Sequence, residues 1–123
     1  MKSFLGSVIL FTILILAVTL NAIYILGLSE RIGQYAERLE RVEKEEDPTA
    51  LLEELQDLWK QNRKYLAFSI DTATLDDIEK TILSLIVAYE SGDSYEFEKY
   101  RAYLGEAARE ISRFERLDIE TIF

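Results

Sequence analysis

Acidic side chains are the residues of this sequence best able to do chemistry, and one group of them precedes the single proline. Glu43, Glu45, Glu46 and Asp47 place four carboxylates within five residues. Such a group can bind a divalent cation, but the run lacks the Asp-x-Asp-x-Asp-Gly spacing of a calcium loop. Because adjacent carboxylates on a helix point in different directions, we interpret the run as a solvated helix end and predict no metal site.

A second acidic group, Asp71, Asp76, Asp77 and Glu79, could pair as a general acid and a general base. Helix capping explains these residues as well, because acidic side chains are favoured in a first helical turn. The chain has no His and no Cys, which excludes a Ser-His-Asp triad, a cysteine nucleophile and thiolate or imidazole metal ligands. We predict no catalytic residue, no cofactor and no enzymatic activity.

One basic and aromatic patch has two interpretations. Lys60, Arg63 and Lys64 lie beside Trp59 and Tyr65. In the structural interpretation the rings are buried, and the basic side chains cover them with their aliphatic stems. In the functional interpretation the patch docks an acidic partner or lipid headgroups, which makes Trp59, Arg63, Lys64 and Tyr65 candidate partner contacts.

Charge divides the chain into two unlike parts. Residues 3–29 contain no charged side chain, whereas residues 30–123 carry 13 basic and 23 acidic ones. The chain as a whole has a net charge of −9, so it lacks the basic excess that drives sequence-independent binding to nucleic acid. We predict a membrane anchor at residues 1–29, an acidic domain at residues 30–123 and no nucleic-acid partner.

The uncharged run from Phe4 to Leu28 is long enough to cross a membrane as one helix. Its 25 residues extend about 37 Å at ~1.5 Å each, and a hydrocarbon core is about 30 Å thick. A cleaved secretory signal is the alternative, but the apolar region of a signal has only about 7–15 residues. We predict an uncleaved signal-anchor embedded in membrane lipid.

The charges beside the anchor bear on its orientation. Lys2 and the free amine precede it, and basic groups near a span stay on the cytoplasmic side. Arg31, Arg38 and Arg41 follow the span and oppose this orientation. Because so short a basic tail before the span is typical of a signal-anchor, we predict a single-pass cell-membrane protein with an extracytoplasmic domain.

Asn21 is the most polar side chain of the uncharged run from Phe4 to Leu28 and lies roughly 8 Å past the midpoint of that run by helical rise. Its amide either bonds locally, to backbone or at the interface, or hydrogen-bonds a neighbouring membrane helix, with Thr19 and Ala17 nearby. The second interpretation makes Asn21 a candidate partner contact.

Apolar residues recur at helical spacing in four segments of the acidic domain. The first segment continues the anchor helix without a break, to about Glu46. Asp47 and Pro48 fit the start of a second helix, as N-cap and first-turn residue. The apolar positions are, in chain order, Ile32, Tyr35, Leu39 and Val42; Leu51, Leu52, Leu55, Leu58, Trp59, Tyr65 and Leu66; Leu75, Ile78, Ile82, Leu85 and Tyr89; and Phe97, Tyr100, Leu104, Ala107, Ile111 and Phe114.

Capping signals place the later helix ends. We expect the second helix to end within residues 68–72. Thr74 and Asp77 resemble a capping box that starts the third helix, and Gly92 ends it because glycine readily adopts the left-handed conformation. Asp93 then starts the fourth helix.

No segment of the acidic domain shows the alternation of a strand, and its connections are short. We therefore predict an all-α fold, in which an N-terminal transmembrane helix continues into an antiparallel bundle of about four helices.

The C-terminal tail, residues 117–123, breaks the apolar rhythm of the fourth helix. It is rich in large apolar residues, which something should cover. One interpretation is that the tail folds back and closes the open end of the bundle. The other is a docking segment that orders on a partner, with Ile119, Ile122 and Phe123 as candidate contacts.

The run WKQNRKYLAFSIDTATLDDIEKTILSL and the ending RLDIETIF resemble a family of small single-span proteins of Gram-positive bacteria, domain of unknown function 4363. The resemblance covers nearly the whole chain but implies no activity. One departure is Thr72, where the family often has His. The matching positions are Trp59, Tyr65, Ile70, Asp71, Leu75, Asp76, Ile78, Glu79, Leu117, Ile119, Glu120, Ile122 and Phe123.

Two functions remain open at this point. The first is a membrane-tethered accessory or interaction subunit that packs on another membrane protein or on a second copy. The resemblance supports it, because genes of the family often lie beside one for a multi-span membrane protein. The second is a sensor or binding module that holds a ligand between its helices. A binder needs a cavity with convergent polar groups, whereas the predicted stripes are almost entirely apolar.

Overall fold

The computed structural model contains four α-helices and describes residues 2–40 and 48–122, with side chains except those at 118, 119, 121 and 122. Within these ranges no strand occurs, so the all-α prediction is confirmed. The first helix contacts the second and the fourth, and the third contacts the same two, which gives a four-membered bundle. The helices are α1 (Lys2–Glu40), α2 (Pro48–Leu66), α3 (Thr72–Glu90) and α4 (Ser94–Ile122).

The core lies between the four helices and follows most of the predicted stripes. Burying a large apolar side chain contributes about 1.5–3 kcal/mol, so this core holds the bundle together. Tyr65, Tyr89 and Phe114 depart from the prediction because they are exposed. The largest fully buried side chains are Ile25, Leu55, Leu75, Ile82, Leu85 and Leu104.

Phe114 is exposed in an open groove between α4 and the start of α3. The groove is lined by Ser69 and Ile70 of the turn and by Thr74 of α3. Helical spacing assigned Phe114 to the inner face, but the side chain faces this groove and stays 66% exposed.

Small residues allow α1 and α4 to approach closely. A Cβ on Gly33 would lie 3.7 Å from the Cβ of Ala108, and a Cβ on Gly105 would lie 3.7 Å from that of Ala36. These pairs run in opposite chain directions, so α1 and α4 are antiparallel. Such contacts bring two helix backbones together more closely than large side chains permit.

The boundary between α2 and α3 differs from the prediction in detail. α2 ends at Leu66, before the expected stretch, and residues 67–70 form a turn. Asp71, not Thr74, caps α3, because its carboxylate accepts a hydrogen bond from the Thr74 N–H at 3.1 Å. The capping-box assignment was therefore wrong by about one helical turn, since Asp71 and Thr74 are both residues that cap helices well.

The boundary between α3 and α4 agrees with the prediction. Gly92 has a φ of 70°, the left-handed conformation expected just after a helix end. Asp93 accepts a hydrogen bond from the Glu96 N–H at 3.0 Å and caps α4.

The C-terminal tail continues α4 as far as Ile122. The expectation that the tail folds back on the bundle is therefore wrong. The tail does not turn back but forms the last turns of α4. The side chains of Ile119 and Ile122, and the whole of Phe123, lie outside the described residues. So do Val42, the acidic run at residues 43–47 and the predicted continuation of α1 to Glu46.

Candidate membrane anchor and the adjoining end of the bundle

α1 has two halves with different surroundings. From Ala22 onward one face of the helix is buried in the bundle, whereas the preceding residues project beyond it. Among the described residues, α1 is the one helix long and apolar enough to cross a membrane. The large apolar side chains exposed in the projecting half are Phe4, Leu5, Val8, Ile9, Leu10, Phe11, Ile13, Leu14, Leu16, Val18 and Leu20.

The bundle begins inside the apolar run that predicts the anchor. Ala22, Ile25 and Leu28 belong to that run, yet all three are buried. The projecting half, residues 2–21, therefore has 20 residues, which at ~1.5 Å each extend about 30 Å. This length equals the hydrocarbon thickness of a typical bilayer.

Asn21 lies where α1 enters the bundle. Its Nδ2 donates a hydrogen bond to Ser69 Oγ at 2.6 Å, in the turn between α2 and α3. One turn further along α1, the Tyr24 hydroxyl donates to Asn62 Oδ1 on α2. Asn21 thus has a partner within its own chain, and the two bonds hold the α2–α3 turn beside α1.

The end of α4 reaches the same level. Ser29 Oγ and Ser112 Oγ lie 2.6 Å apart, in register with the contact between Gly33 and Ala108. Extending this antiparallel register along both helices brings the last residue of α4, Ile122, to the level of Thr19. The α2–α3 turn and the end of α4 therefore form one end of the bundle, from which the apolar half of α1 projects.

The basic and aromatic patch divides into a buried and an exposed part. Trp59 is 2% exposed and lies in the core, with its Nε1 donating to Glu79 Oε1 at 3.4 Å. The structural interpretation therefore applies to Trp59. Tyr65 is 52% exposed, and the Nζ of exposed Lys64 lies 5.1 Å from the centre of its ring.

Arg63 joins α2 to α3. Its guanidinium contacts Asp76 Oδ1 at 2.7 Å and Glu79 Oε2 at 2.9 Å. The hydrogen bond to Asp76 raises the pKa of Arg63 above its ordinary value, so the guanidinium stays charged. Two members of the second acidic group are thus engaged in ion pairs. Through them Arg63 links α2 to α3 within the bundle.

Asp71, another member of the same acidic group, caps α3. Hydrogen bonds from the Thr74 hydroxyl and N–H lower the pKa of its carboxyl. The capping interpretation of this residue agrees with the geometry. Within the described ranges, no three Asp, Glu, His or Cys side chains are grouped so that they could hold a metal ion.

Phe68 is a residue of this end that the sequence patterns did not single out. It lies in the turn before Ser69, and its side chain is 88% exposed. Phe114, 66% exposed, lines the groove on the other side of the turn. The available signal was a large apolar residue inside a predicted connection, where polar residues are usual.

No protein-family model, no curated protein and no solved structure matches this chain. The resemblance to domain of unknown function 4363 therefore stays a prediction. The function has to be argued from the geometry of the anchor and the bundle.

Proposed function

We propose that this chain is a single-span membrane protein whose bundle serves as a non-catalytic accessory or interaction subunit of a membrane protein complex. The observation that carries the proposal is the projecting apolar half of α1. Most of its large side chains are exposed in the described chain, and contiguous apolar surface of this extent is unfavourable in water. Membrane lipid and a neighbouring membrane helix are the surroundings that suit it.

The link between the anchor and the bundle supports a role in assembly. α1 passes from one to the other as a single helix, and the bonds of Asn21 and Tyr24 attach α2 to it at the junction. A membrane protein that packs beside the anchor would therefore also fix the position of the bundle. The partner in this proposal is another membrane protein or a second copy of the chain.

A ligand-binding or sensor role has less support. Such a module needs an enclosed cavity with convergent polar groups. The groove between α1 and α4 lies on the surface, lined by charged residues such as Glu37 and Arg113. In the described interior the one buried polar residue is Ser29, and its hydroxyl is already paired with Ser112.

We further propose that the bundle is extracytoplasmic, on the basis of Lys2 and the signal-anchor pattern. Protease added to intact cells stripped of their wall should then degrade the bundle and leave the anchor. Protection of the bundle until the membrane is broken would reverse the orientation without affecting the anchor.

Photo-cross-linking of the full chain in cells tests the accessory role. A photoreactive phenylalanine analogue at Phe11, on the projecting half of α1, should give an adduct with a protein that mass spectrometry identifies. The same analogue at Trp59, a large aromatic side chain that is 2% exposed, is the control and should react only within the chain.

Two results would contradict the proposal in different ways. Adducts with lipid alone at Phe11 and at the other projecting positions would remove the accessory role. Release of the chain from membranes by alkaline carbonate, which strips peripheral proteins, would remove the anchor itself.

A further inference from the structure

We propose that the end of the bundle beside the anchor is inserted in the headgroup layer of the bilayer that α1 crosses. The inserted surface, here called the rim, consists of Lys64, Tyr65, Phe68 and Phe114. The ring of Phe68 reaches the boundary with the hydrocarbon. This inference rests on the proposed anchor and adds a second lipid-binding surface to it.

The first argument is the length of α1. The uncharged residues of its projecting half, 3–21, extend about 28 Å, and the end of α4 reaches the level of Thr19, so the hydrocarbon core leaves no residues to spare. The bundle begins at Ala22, one residue after Asn21. With no spacer between them, a helix that spans the core brings the α2–α3 turn to the membrane surface.

The second argument is the position of Phe68. Ser69, its neighbour in the chain, is bonded to Asn21, so Phe68 lies at the level where the span leaves the hydrocarbon. Its ring has almost no cover in the described chain, at 88% exposure. Aromatic and apolar side chains at this depth are stabilised at the boundary between headgroups and acyl chains.

The third argument is the chemistry of the other rim residues. Tyr and Trp are enriched at membrane interfaces because one part of the ring is apolar and the other polar. Tyr65 fits this pattern, and Lys64 beside it can extend its ammonium to a lipid phosphate while its stem stays in apolar surroundings. An acidic residue, Asp71, lies beside the same turn. Its carboxylate accepts two hydrogen bonds from Thr74 and therefore has partners within the bundle.

Lipid is favoured over a protein as the occupant because the rim is continuous with the span. The region around an inserted helix at this level is filled by lipid unless a protein displaces it. A protein partner and a second copy of the chain are the other occupants, and the experiment separates them.

Spin labelling of the full chain in vesicles tests the rim directly. The chain has no cysteine, so the variants Phe11→Cys, Phe68→Cys and Tyr95→Cys each carry a single label. Tyr95 is the matched control, because it is 77% exposed and lies near the opposite end of α4. The vesicles contain phosphatidylcholine and phosphatidylglycerol and no other protein, and unchanged circular dichroism shows that each variant folds.

Power saturation with oxygen and with a water-soluble nickel chelate measures the depth of each label. The Phe11 label should lie deep in the hydrocarbon, and the Tyr95 label should be open to the nickel chelate. The Phe68 label should be protected from nickel and lie on the order of 5–10 Å inside the headgroup layer. This protection should persist when the protein is diluted in lipid.

Each other outcome overturns the inference in a distinguishable way. A Phe68 label as accessible to nickel as the Tyr95 label, with the Phe11 label in lipid, removes the rim and leaves the anchor. Protection that disappears on dilution in lipid assigns the surface to a second copy. The same measurement in native membranes identifies a protein partner, if the Phe68 label is protected there and not in the vesicles. A Phe11 label that is open to the nickel chelate removes the anchor as well.

Discussion

Asn21 Nδ2 and Ser69 Oγ are 2.6 Å apart, although 48 residues separate them in the sequence. One residue belongs to an otherwise apolar stretch of α1 and the other to the turn between α2 and α3. Their hydrogen bond gives the Asn21 side-chain amide a partner and fixes where the bundle begins along α1. The depth proposed for the rim depends on this attachment.

A double-mutant cycle measures the contribution of this bond. Asn21→Ala and Ser69→Ala should each lower the free energy of unfolding of the full chain in detergent micelles. A net hydrogen bond contributes about 0.5–1.5 kcal/mol, so the double variant should lose less than the sum by about that amount. Denaturant unfolding followed by circular dichroism gives the values, and strict additivity would show that the two side chains do not interact.

Trp59 and Phe114 should respond differently to truncation, although the sequence assigns both to inner stripes. Trp59→Ala removes a buried side chain and should cost about 3–5 kcal/mol. Phe114→Ala changes an exposed residue and should alter the free energy of unfolding by less than about 1 kcal/mol. The same unfolding measurement compares them, and equal losses would contradict the exposure of Phe114.

Substitutions at Gly105 test the close contact of α1 with α4. A Cβ there would lie 3.7 Å from the Cβ of Ala36, an ordinary contact distance. Gly105→Ala should therefore stabilise the chain by about 0.5–1 kcal/mol, because alanine favours the helix. Gly105→Leu should cost about 1–3 kcal/mol by overpacking. A stabilising leucine would mean that the helices are farther apart.

The cap of α3 should give a pH-dependent contribution to stability. Hydrogen bonds from Thr74 lower the pKa of Asp71 below its ordinary value of 3.8. A lowered carboxyl pKa means that the contribution is fully present above the ordinary pKa and is lost as pH falls through the lowered value. The stability difference between wild type and Asp71→Ala should thus be constant near neutral pH and narrow below about pH 4.

Asp57→Ala is the matched control for the cap, because Asp57 is exposed on α2. Thermal unfolding at several pH values should show a smaller and flatter effect for this variant than for Asp71→Ala. A pH-independent loss at Asp71 would show that its ionised form does not cap the helix.

Local sequence determined the four helices and most of their ends. Apolar residues at helical spacing define the inner faces of the helices, and the caps at Asp93 and Gly92 act within a few residues of themselves. Such short-range signals can be read directly. They misplaced the end of α2, the end of α4 and the start of α3, where two residues of the capping type compete three positions apart.

Tertiary structure alone decided which part of the apolar run of α1 belongs to the bundle. Lipid tails and a protein core are both apolar, so Leu20 and Ile25 look alike in the sequence although the first is exposed and the second buried. Periodicity likewise gives the face of a helix but not what covers that face. Trp59 is covered because helices surround it, whereas Phe114 faces an open groove beside the start of α3.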